Sequence, residues 1–313
     1  MLSFTALYPR HGADFPDRAT ASAGRPWVSR LRAIALLVLI GLAVGCTDAV
    51  KDSAGAVNAV GQDRRLVTGA GFEHLTYRHG IPPNPGEVRV YLEGDGLPWV
   101  SHTRIARDPS PRTPLALRLM AQDPAPSLYL GRPCYHGLAH SSGCAPWLWT
   151  HGRYSVTVVD SMVAALRRAV GPKARISLIG YSGGGALAML MAGRMDNVER
   201  VVTIAANLDI DAWADLHGYS RLSGSLNPAA APPLPGRVRQ IHLAGGRDLQ
   251  VPASLGQAVG VGLPEVVRIT FPDFDHRCCW EGVWPSVLAT LEQPDSADQA
   301  ASLRRLAAVA AGP

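Results

Sequence analysis

A glycine-rich segment in the middle of the chain holds a candidate nucleophile. It has the pattern Gly-x-Ser-x-Gly, in the residues Gly180-Tyr181-Ser182-Gly183-Gly184. Glycines on both sides of the serine leave room for a strained turn, and such a turn exposes the serine hydroxyl for attack on a carbonyl carbon. The segment differs from a phosphate-binding loop because no Gly-Lys-Ser or Gly-Lys-Thr follows it.

A serine nucleophile needs a base and an orienting acid, and the sequence offers candidates for both. A serine hydroxyl reacts slowly until a histidine accepts its proton and a carboxylate holds that histidine in place. His276 follows the last strand-like apolar run, and Asp248 follows the run before it. Asp209 and Asp211, which follow an earlier run, are the alternative acids. The predicted order along the chain is therefore Ser182, acid, His276.

The elements that must position these residues alternate between strand and helix. Predicted strands lie at 88–92, 127–130, 174–179, 201–205, 240–244 and 266–271. Predicted helices lie at 115–121, 156–170 and 186–192. This alternation is typical of an α/β fold with a mostly parallel sheet. Loops at the carboxyl ends of parallel strands lie at one edge of the sheet, so we expect the serine, the acid and the histidine to meet there.

These residues together resemble the α/β-hydrolase family, which keeps the order serine, acid, histidine. Members often carry Gly-x-x-Asp-x-x-Val-Pro around the acid, and the matching segment here runs from Gly245 to Pro252. The resemblance covers most of the chain after the N-terminal segment, and it implies a mostly parallel sheet of about eight strands flanked by helices. It also implies that Ser182 is the nucleophile, His276 the base and Asp248 the orienting acid.

Acyl transfer also requires hydrogen-bond donors for the oxyanion of the transition state. The amide of Gly183, directly after the nucleophile, is one candidate. In the resembled family the second donor lies in a loop after an early strand, commonly after His-Gly. Here Glu93-Gly94-Asp95-Gly96 occupies that place, so the Asp95 amide is the second candidate. Glu93 replaces the usual histidine, and we expect its carboxylate to be turned away or paired with Arg132 or Arg153.

The N-terminal segment has the features of an export signal. Arginines precede an apolar run of 12 residues, 33–44, which is too short to span a bilayer core of about 30 Å comfortably. The run ends at Ala43-Val44-Gly45-Cys46, which resembles the lipobox of bacterial lipoproteins with Ala at the position where Leu is commoner. That resemblance implies a lipid on Cys46 and, because Thr47 rather than Asp follows, an outer-membrane location. An ordinary signal peptide and a retained anchor helix are the alternatives.

Export implies an oxidising compartment, in which cysteines pair. With Cys46 carrying a lipid, four cysteines remain. Cys134 and Cys144 are the favoured pair because they bracket a loop that contains glycine and histidine, while Cys278 and Cys279 pair with each other or stay free. A zinc site made by Cys134, Cys144 and the intervening histidines is a minor alternative. We expect neither a metal nor a cofactor.

Composition and these motifs divide the chain into four predicted segments. They are an N-terminal extension and signal peptide at 1–45, a tether at 46–62, an α/β-hydrolase domain at 63–292 and a C-terminal tail at 293–313. With 47% hydrophobic and 18% charged residues, the chain is globular rather than disordered or coiled-coil. Its net charge of +5 owes much to five arginines among the first 45 residues, so no nucleic-acid partner is expected.

The α/β-hydrolase resemblance implies hydrolysis of a carboxylic ester, on a small or lipid-like substrate. The lipobox resemblance implies that this enzyme is attached to the periplasmic side of the cell envelope. Thioester or amide cleavage by the same residues is the alternative within this class. Trp99, Trp147, Trp149 and Trp213 are candidates for an aromatic substrate wall, and residues 208–226 are a candidate cap. The competing class is a non-catalytic lipoprotein that uses the fold for binding, although a binding module has no need of a serine, a histidine and an acid together.

Overall fold

The computed structural model describes residues 63–257, 259–293 and 297–310. Its strands are β1 (Arg64–Thr68), β2 (Glu73–His79), β3 (Glu87–Leu92), β4 (Trp99–Ser101), β5 (Arg104–Ile105), β6 (Ser127–Leu130), β7 (Arg175–Tyr181), β8 (Val198–Ile204), β9 (Arg239–Gly245) and β10 (Val266–Phe271). Its α-helices are α1 (Leu115–Met120), α2 (Val156–Val170), α3 (Gly183–Ala192), α4 (Ile210–His217), α5 (Trp280–Leu291) and α6 (Ala297–Val309). The predicted signal peptide, the lipidation site at Cys46 and the tether lie outside the described residues.

Eight strands form one sheet in the order β1-β2-β6-β3-β7-β8-β9-β10. Strand β2 runs antiparallel to both of its neighbours, and the other neighbouring pairs are parallel. Strands β4 and β5 form a separate two-stranded hairpin. The predicted α/β class, with a mostly parallel eight-stranded sheet flanked by helices, is therefore confirmed.

The central strands are apolar on both sides because helices cover both faces of the sheet. Val88 and Val90 of β3 pack in one cluster with residues of α2 and α3. Tyr91, which points to the opposite face, packs in a second cluster with residues of α1 and α5. This two-sided burial makes each central strand readable from the sequence as a continuous apolar run.

Local sequence signals set the bounds of α2, the helix that precedes β7. The side chain of Ser155 accepts a hydrogen bond from the amide of Val158 and so caps the start of α2. Gly171, with a φ of 82°, ends the helix in a conformation that favours glycine. The helix occupies the range predicted from its apolar spacing.

The C-terminal segment contributes to the core. Leu303 and Ala307 of α6 are buried in the same cluster as Phe271 of β10, and the buried side chain of Gln299 donates a hydrogen bond of 3.1 Å to the carbonyl oxygen of Thr290. Within the described residues, no helix combines the length and the apolar character needed to cross a membrane.

The cysteine-containing loop after β6 is cross-linked. In the structure Cys134 and Cys144 form a disulfide, with their Cα atoms 5.5 Å apart. Cys278 and Cys279 are paired with each other, which is one of the two arrangements expected for them.

A buried histidine links three elements of the fold. The Nδ1 atom of His74, in β2, lies 2.9 Å from the carbonyl oxygen of Gly131, and its Nε2 atom lies 2.7 Å from the hydroxyl oxygen of Ser161, in α2. A carbonyl only accepts hydrogen bonds, so Nδ1 carries the proton and Nε2 accepts from the serine. Burial disfavours the charged ring and lowers the pKa of His74 to about 4, although the bond to Gly131 opposes this shift.

Because the fold holds His74 neutral, we expect the folded protein to lose stability in mild acid. Between about pH 7.5 and 5 the unfolded chain takes up a proton at His74 that the folded chain excludes, which costs about 2 kcal/mol of folding free energy. Urea unfolding of a His74→Gln variant should therefore show a pH dependence smaller by about that amount than the unfolding of the wild type. His79→Gln, on the exposed end of the same strand, is the control and should keep the wild-type dependence. Equal pH dependence in the His74 variant and the wild type would contradict the assignment.

Candidate active site

Ser182 lies between the end of β7 and the start of α3, in an unusual backbone conformation. Its φ is 52° and its ψ is −124°, in a region that residues with a side chain rarely adopt. Two backbone hydrogen bonds of 2.9 Å fix this turn, one from the Ser182 amide to the carbonyl oxygen of Ile204 and one from the Gly185 amide to the carbonyl oxygen of Ser182. The turn is thereby anchored to β8 as well as to its own helix.

The two outer glycines of the motif permit close backbone approach. A Cβ atom on Gly180 would overlap the backbone of Gly184, and a Cβ atom on Gly184 would overlap the carbonyl oxygen of Leu92, at the end of β3. Any side chain at either position would push the turn away from the sheet. These overlaps explain why the motif has glycine two residues before and two residues after the serine.

The structure brings the predicted serine, histidine and aspartate together. The Nε2 atom of His276 lies 3.0 Å from the hydroxyl oxygen of Ser182, and its Nδ1 atom lies 2.8 Å from Oδ2 of Asp248. Because a carboxylate oxygen accepts, Nδ1 of His276 carries the proton and Nε2 is left to accept from the serine hydroxyl. All three side chains are buried, with relative exposures of 8% or less.

Asp248 is held by its own turn. Its Oδ1 atom accepts hydrogen bonds from the amides of Gln250, at 2.8 Å, and Val251, at 2.7 Å. Its other carboxylate oxygen is thereby directed at the histidine ring. Fixing one oxygen to the backbone limits rotation of the carboxylate, which in turn orients the ring of His276.

The alternative acids have a different use. Asp209 precedes α4 and accepts a hydrogen bond of 3.1 Å from the amide of Ala212, so it caps that helix. The side-chain amide of Asn227 donates to Asp209 at 2.9 Å and to Asp211 at 3.1 Å. These carboxylates stabilise the start of α4, whereas Asp248 is the acid that contacts His276.

Tyr181, the second residue of the motif, supports the histidine loop. Its hydroxyl group donates a hydrogen bond of 3.1 Å to the carbonyl oxygen of His276, and the two rings lie 5.2 Å apart at a tilt of 41°. Burial raises the pKa of this tyrosine above its usual value, so the hydroxyl stays protonated and able to donate. The sequence motif gave no indication of this supporting contact.

The predicted oxyanion segment lies directly against the nucleophile. A Cβ atom on Gly94 would lie 3.3 Å from the Cβ atom of Ser182, and one on Gly183 would overlap the carboxylate of Asp95. Gly183 is the first residue of α3, where backbone amides have no partner within the helix. The two residues named as oxyanion donors, Gly183 and Asp95, therefore lie next to each other and close to Ser182.

The arginines expected to neutralise Glu93 pair with Asp95 instead. Arg132 and Arg153 each approach the Asp95 carboxylate to 2.8 Å, and the hydroxyl of Tyr154 lies 2.7 Å from both of its oxygens. Burial alone would raise the pKa of Asp95, but the two guanidinium groups and the hydroxyl outweigh it and hold the pKa at about 2. The Asp95 carboxylate is therefore ionised, and the positive charges of the two arginines offset its negative charge.

The carboxylate of Glu93 is turned away from the nucleophile, which is the other arrangement expected for it. Its oxygens accept hydrogen bonds from the amides of Gly94, at 3.1 Å, and Ala116, at 3.0 Å. Arg132 reaches only the backbone carbonyl of Glu93, at 3.3 Å. Burial raises the pKa of Glu93 to about 7, in spite of the backbone amides that favour its ionised form.

The serine and histidine open onto a cavity of about 1070 Å³. Of the four tryptophans expected at the substrate wall, Trp99 and Trp213 line this cavity. Trp149 is buried and donates a hydrogen bond to the carbonyl oxygen of Ala106, and Trp147 packs beside Gly152 and Gly224. Only half of the predicted aromatic wall is therefore found at the cavity.

The segment predicted to be a cap forms part of the cavity wall. It contributes Trp213 and Tyr219, whose rings lie 5.3 Å apart. His217 of the same segment does not line the cavity; it stacks on Tyr219 and lies 2.9 Å from the carbonyl oxygen of Gln250. These contacts fasten α4 to the turn that carries Asp248.

Comparison with known proteins supports the fold through structure rather than sequence. No protein-family profile and no curated protein sequence matches the chain. Among solved structures, an acylaminoacyl peptidase from Pyrococcus horikoshii has a TM-score of 0.52 at 11% identity, over 77% of this chain and 44% of that protein. A puromycin-hydrolyzing peptidase from Mycobacterium tuberculosis has a TM-score of 0.51 at 14% identity, over 73% of this chain and 38% of that protein.

An esterase from Pyrococcus furiosus is similar over most of its own length. Its TM-score is 0.50 at 12% identity, over 73% of this chain and 88% of the esterase. By contrast, the chain spans less than half of each of the two peptidases. Identities this low carry information on architecture alone, and together with the strand order they show that the chain has the α/β-hydrolase fold.

Proposed function

We propose that the protein is a serine hydrolase that cleaves carboxylic esters through an acyl-enzyme intermediate. The observation that carries this proposal is the hydrogen-bond chain from Asp248 through His276 to Ser182, at distances of 2.8 and 3.0 Å. Each bond has the direction that proton transfer away from the serine requires. The serine and histidine also line the large cavity, where a substrate can reach them.

The first half of the proposed reaction forms the acyl-enzyme. The Oγ atom of Ser182 attacks the carbonyl carbon of the ester while Nε2 of His276 takes its proton, and Asp248 stabilises the resulting imidazolium. The amides of Gly183 and Asp95 donate to the oxyanion of the tetrahedral intermediate. As the intermediate collapses, the bond to the alcohol oxygen breaks and His276 returns the proton to that oxygen.

The second half releases the acid. A water molecule gives a proton to Nε2 of His276 and attacks the acyl carbonyl carbon, and the same amides receive the negative charge. When the new intermediate collapses, the bond to Ser182 breaks and the serine oxygen recovers its proton from the imidazolium. The enzyme returns to its starting state, and no cofactor takes part in this proposed cycle.

Replacing the proposed nucleophile tests the enzyme class directly. A Ser182→Ala variant should lose roughly 10⁴-fold or more of the kcat towards p-nitrophenyl butyrate, because no nucleophile remains to form the acyl-enzyme. It should also fail to react with a fluorophosphonate probe that labels the wild type. Ser220→Ala, which removes another hydroxyl lining the same cavity, is the matched control and should be labelled normally. A folded wild type that resists the probe would favour the non-catalytic binding class.

Exchange of single carboxylates tests the assignment of the acid. Asp248→Asn should lower kcat by roughly 10⁴-fold, because the amide leaves the imidazolium unsupported and can hold the ring in the wrong tautomer. Asp209→Asn should keep near-wild-type activity, since asparagine is also a good helix cap. Steady-state kinetics of both purified variants measure the difference. If activity were lost only in the Asp209 variant, Asp209 rather than Asp248 would be the orienting acid.

We propose further that the enzyme works at the periplasmic side of the outer membrane, anchored by a lipid on Cys46. The apolar run at 33–44 and the lipobox-like residues that end it support this location. In a Gram-negative host, Cys46→Ser should abolish incorporation of labelled palmitate and should move the protein out of the outer-membrane fraction. Thr47→Ala, which keeps the cysteine, should retain both. Unchanged lipid labelling in the Cys46 variant would refute the anchor.

A further inference from the structure

The cavity that holds the proposed nucleophile contains more cationic than anionic side chains. Among the described residues its lining includes four arginines, Arg112, Arg118, Arg153 and Arg277, and two acidic residues, Glu93 and Asp95. Both carboxylates have partners in the protein, since Glu93 binds backbone amides and Asp95 binds two arginines. Neither is therefore free to neutralise the other arginines of the cavity.

Two of these arginines have exposed guanidinium groups that the protein leaves available. Arg118 is paired with Glu281, and Arg153 is paired with Asp95. Arg112 and Arg277 are both exposed, and neither side chain has a hydrogen bond or an ion pair within the described part of the chain. The cavity thus presents two cations whose hydrogen-bond donors can be taken up by a ligand.

Both arginines belong to segments that adjoin the proposed catalytic residues. Arg277 directly follows the proposed base, His276. Arg112 belongs to a proline-containing segment that packs against the oxyanion loop, since a Cβ atom on Gly96 would lie 3.0 Å from the backbone nitrogen of Pro111. A ligand held by both guanidinium groups would therefore occupy the same cavity as Ser182.

Another part of the cavity lining is aromatic. Trp99, Trp213 and Tyr219 line it, and each is only partly covered by the protein. Aromatic faces of this kind bind apolar or extended parts of a ligand. A substrate that fits both features has an apolar part and an anionic group on the same molecule.

We propose that the substrate is an ester that carries an anionic group, a carboxylate or a phosphate, which Arg112 and Arg277 bind while the scissile carbonyl lies at Ser182. This inference rests on the proposed serine hydrolase function. Guanidinium groups match the geometry of both anions and form strong, charge-assisted hydrogen bonds with them. The anion determines which ester binds productively, and the aromatic residues contact the rest of the molecule.

Esters matched in size but not in charge test this substrate class. The neutral probe is p-nitrophenyl pentanoate, the carboxylate probe is the mono-p-nitrophenyl ester of glutarate, and the phosphate-like probe is the p-nitrophenyl ester of 4-phosphonobutanoate. With spontaneous hydrolysis subtracted, kcat/KM of the wild type should be at least about tenfold higher for an anionic ester than for the neutral one. Raising the salt concentration from about 0.05 to 0.5 M should reduce this preference. A preference for the glutarate ester or for the phosphonate ester identifies which anion the site favours.

Single substitutions show whether the two arginines are responsible. Arg112→Gln and Arg277→Gln should each reduce the ratio of anionic to neutral kcat/KM by roughly tenfold, mainly through KM, because each removes a charged hydrogen-bond donor. Arg221→Gln, which removes an exposed arginine that is paired with Asp215 and does not line the cavity, should leave the ratio at the wild-type value.

The outcomes separate this inference from the function on which it rests. If the wild type hydrolyses the neutral ester at least as well as both anionic ones, or if neither arginine variant changes the ratio, the inference is wrong while Ser182 labelling and neutral ester hydrolysis still support the hydrolase. If no ester is cleaved and the fluorophosphonate probe does not react, the proposed function itself fails. Labelling of each arginine variant by the probe verifies that its active site is formed.

Discussion

The backbone conformation of Ser182 is the constraint on which the site depends. Holding a residue other than glycine at a φ of 52° costs of order 1–3 kcal/mol, and this conformation persists only if its surroundings determine it. They do so through the hydrogen bond to Ile204 of β8 and through the close approach of Gly184 to Leu92 of β3. The proposed nucleophile is therefore positioned by β3 and β8, the strands on either side of β7.

The proposed base and acid lie on two loops that fix one another. The amide of Arg247 donates a hydrogen bond of 2.9 Å to the carbonyl oxygen of Phe274, so the loop after β9 is tied to the loop after β10. Cβ atoms on Gly245 and Gly246 would collide with the backbone of the later loop, which explains why glycines precede the acid in the sequence. Because the two loops are packed together, they hold Asp248 and His276 in alignment.

How much the sequence could predict depends on how local each feature is. The bounds of α2, β6 and β10 were predicted correctly because each has a local pattern, an apolar face at helical spacing in α2 and short runs rich in apolar residues that are closed by turn residues in β6 and β10. Strands β1 and β2 were missed, since most of β1 is exposed and β2 buries the polar side chains of His74 and Thr76. The hairpin of β4 and β5 has only three and two residues in its strands, too few to show a pattern. The proximity of serine, acid and histidine was predictable because the topology of a parallel sheet alone brings those loops together.

The charges around the oxyanion loop were not predictable, because they depend on pairings between distant segments. Asp95 pairs with Arg132, which follows β6, and with Arg153, which precedes α2. These ion pairs therefore depend on tertiary packing of segments that are distant in the sequence. A carboxylate beside the amide of Gly183 would oppose a developing oxyanion, but two guanidinium groups that remain charged at any ordinary pH give this cluster a net positive charge. The interaction of that cluster with a negative transition state is favourable, and it is strengthened by burial of both arginines. The acidic loop, in which Glu93 stands where the resembled family has histidine, is therefore compatible with acyl transfer. Its Asp95 carboxylate holds Arg132 and Arg153 near the proposed reaction centre.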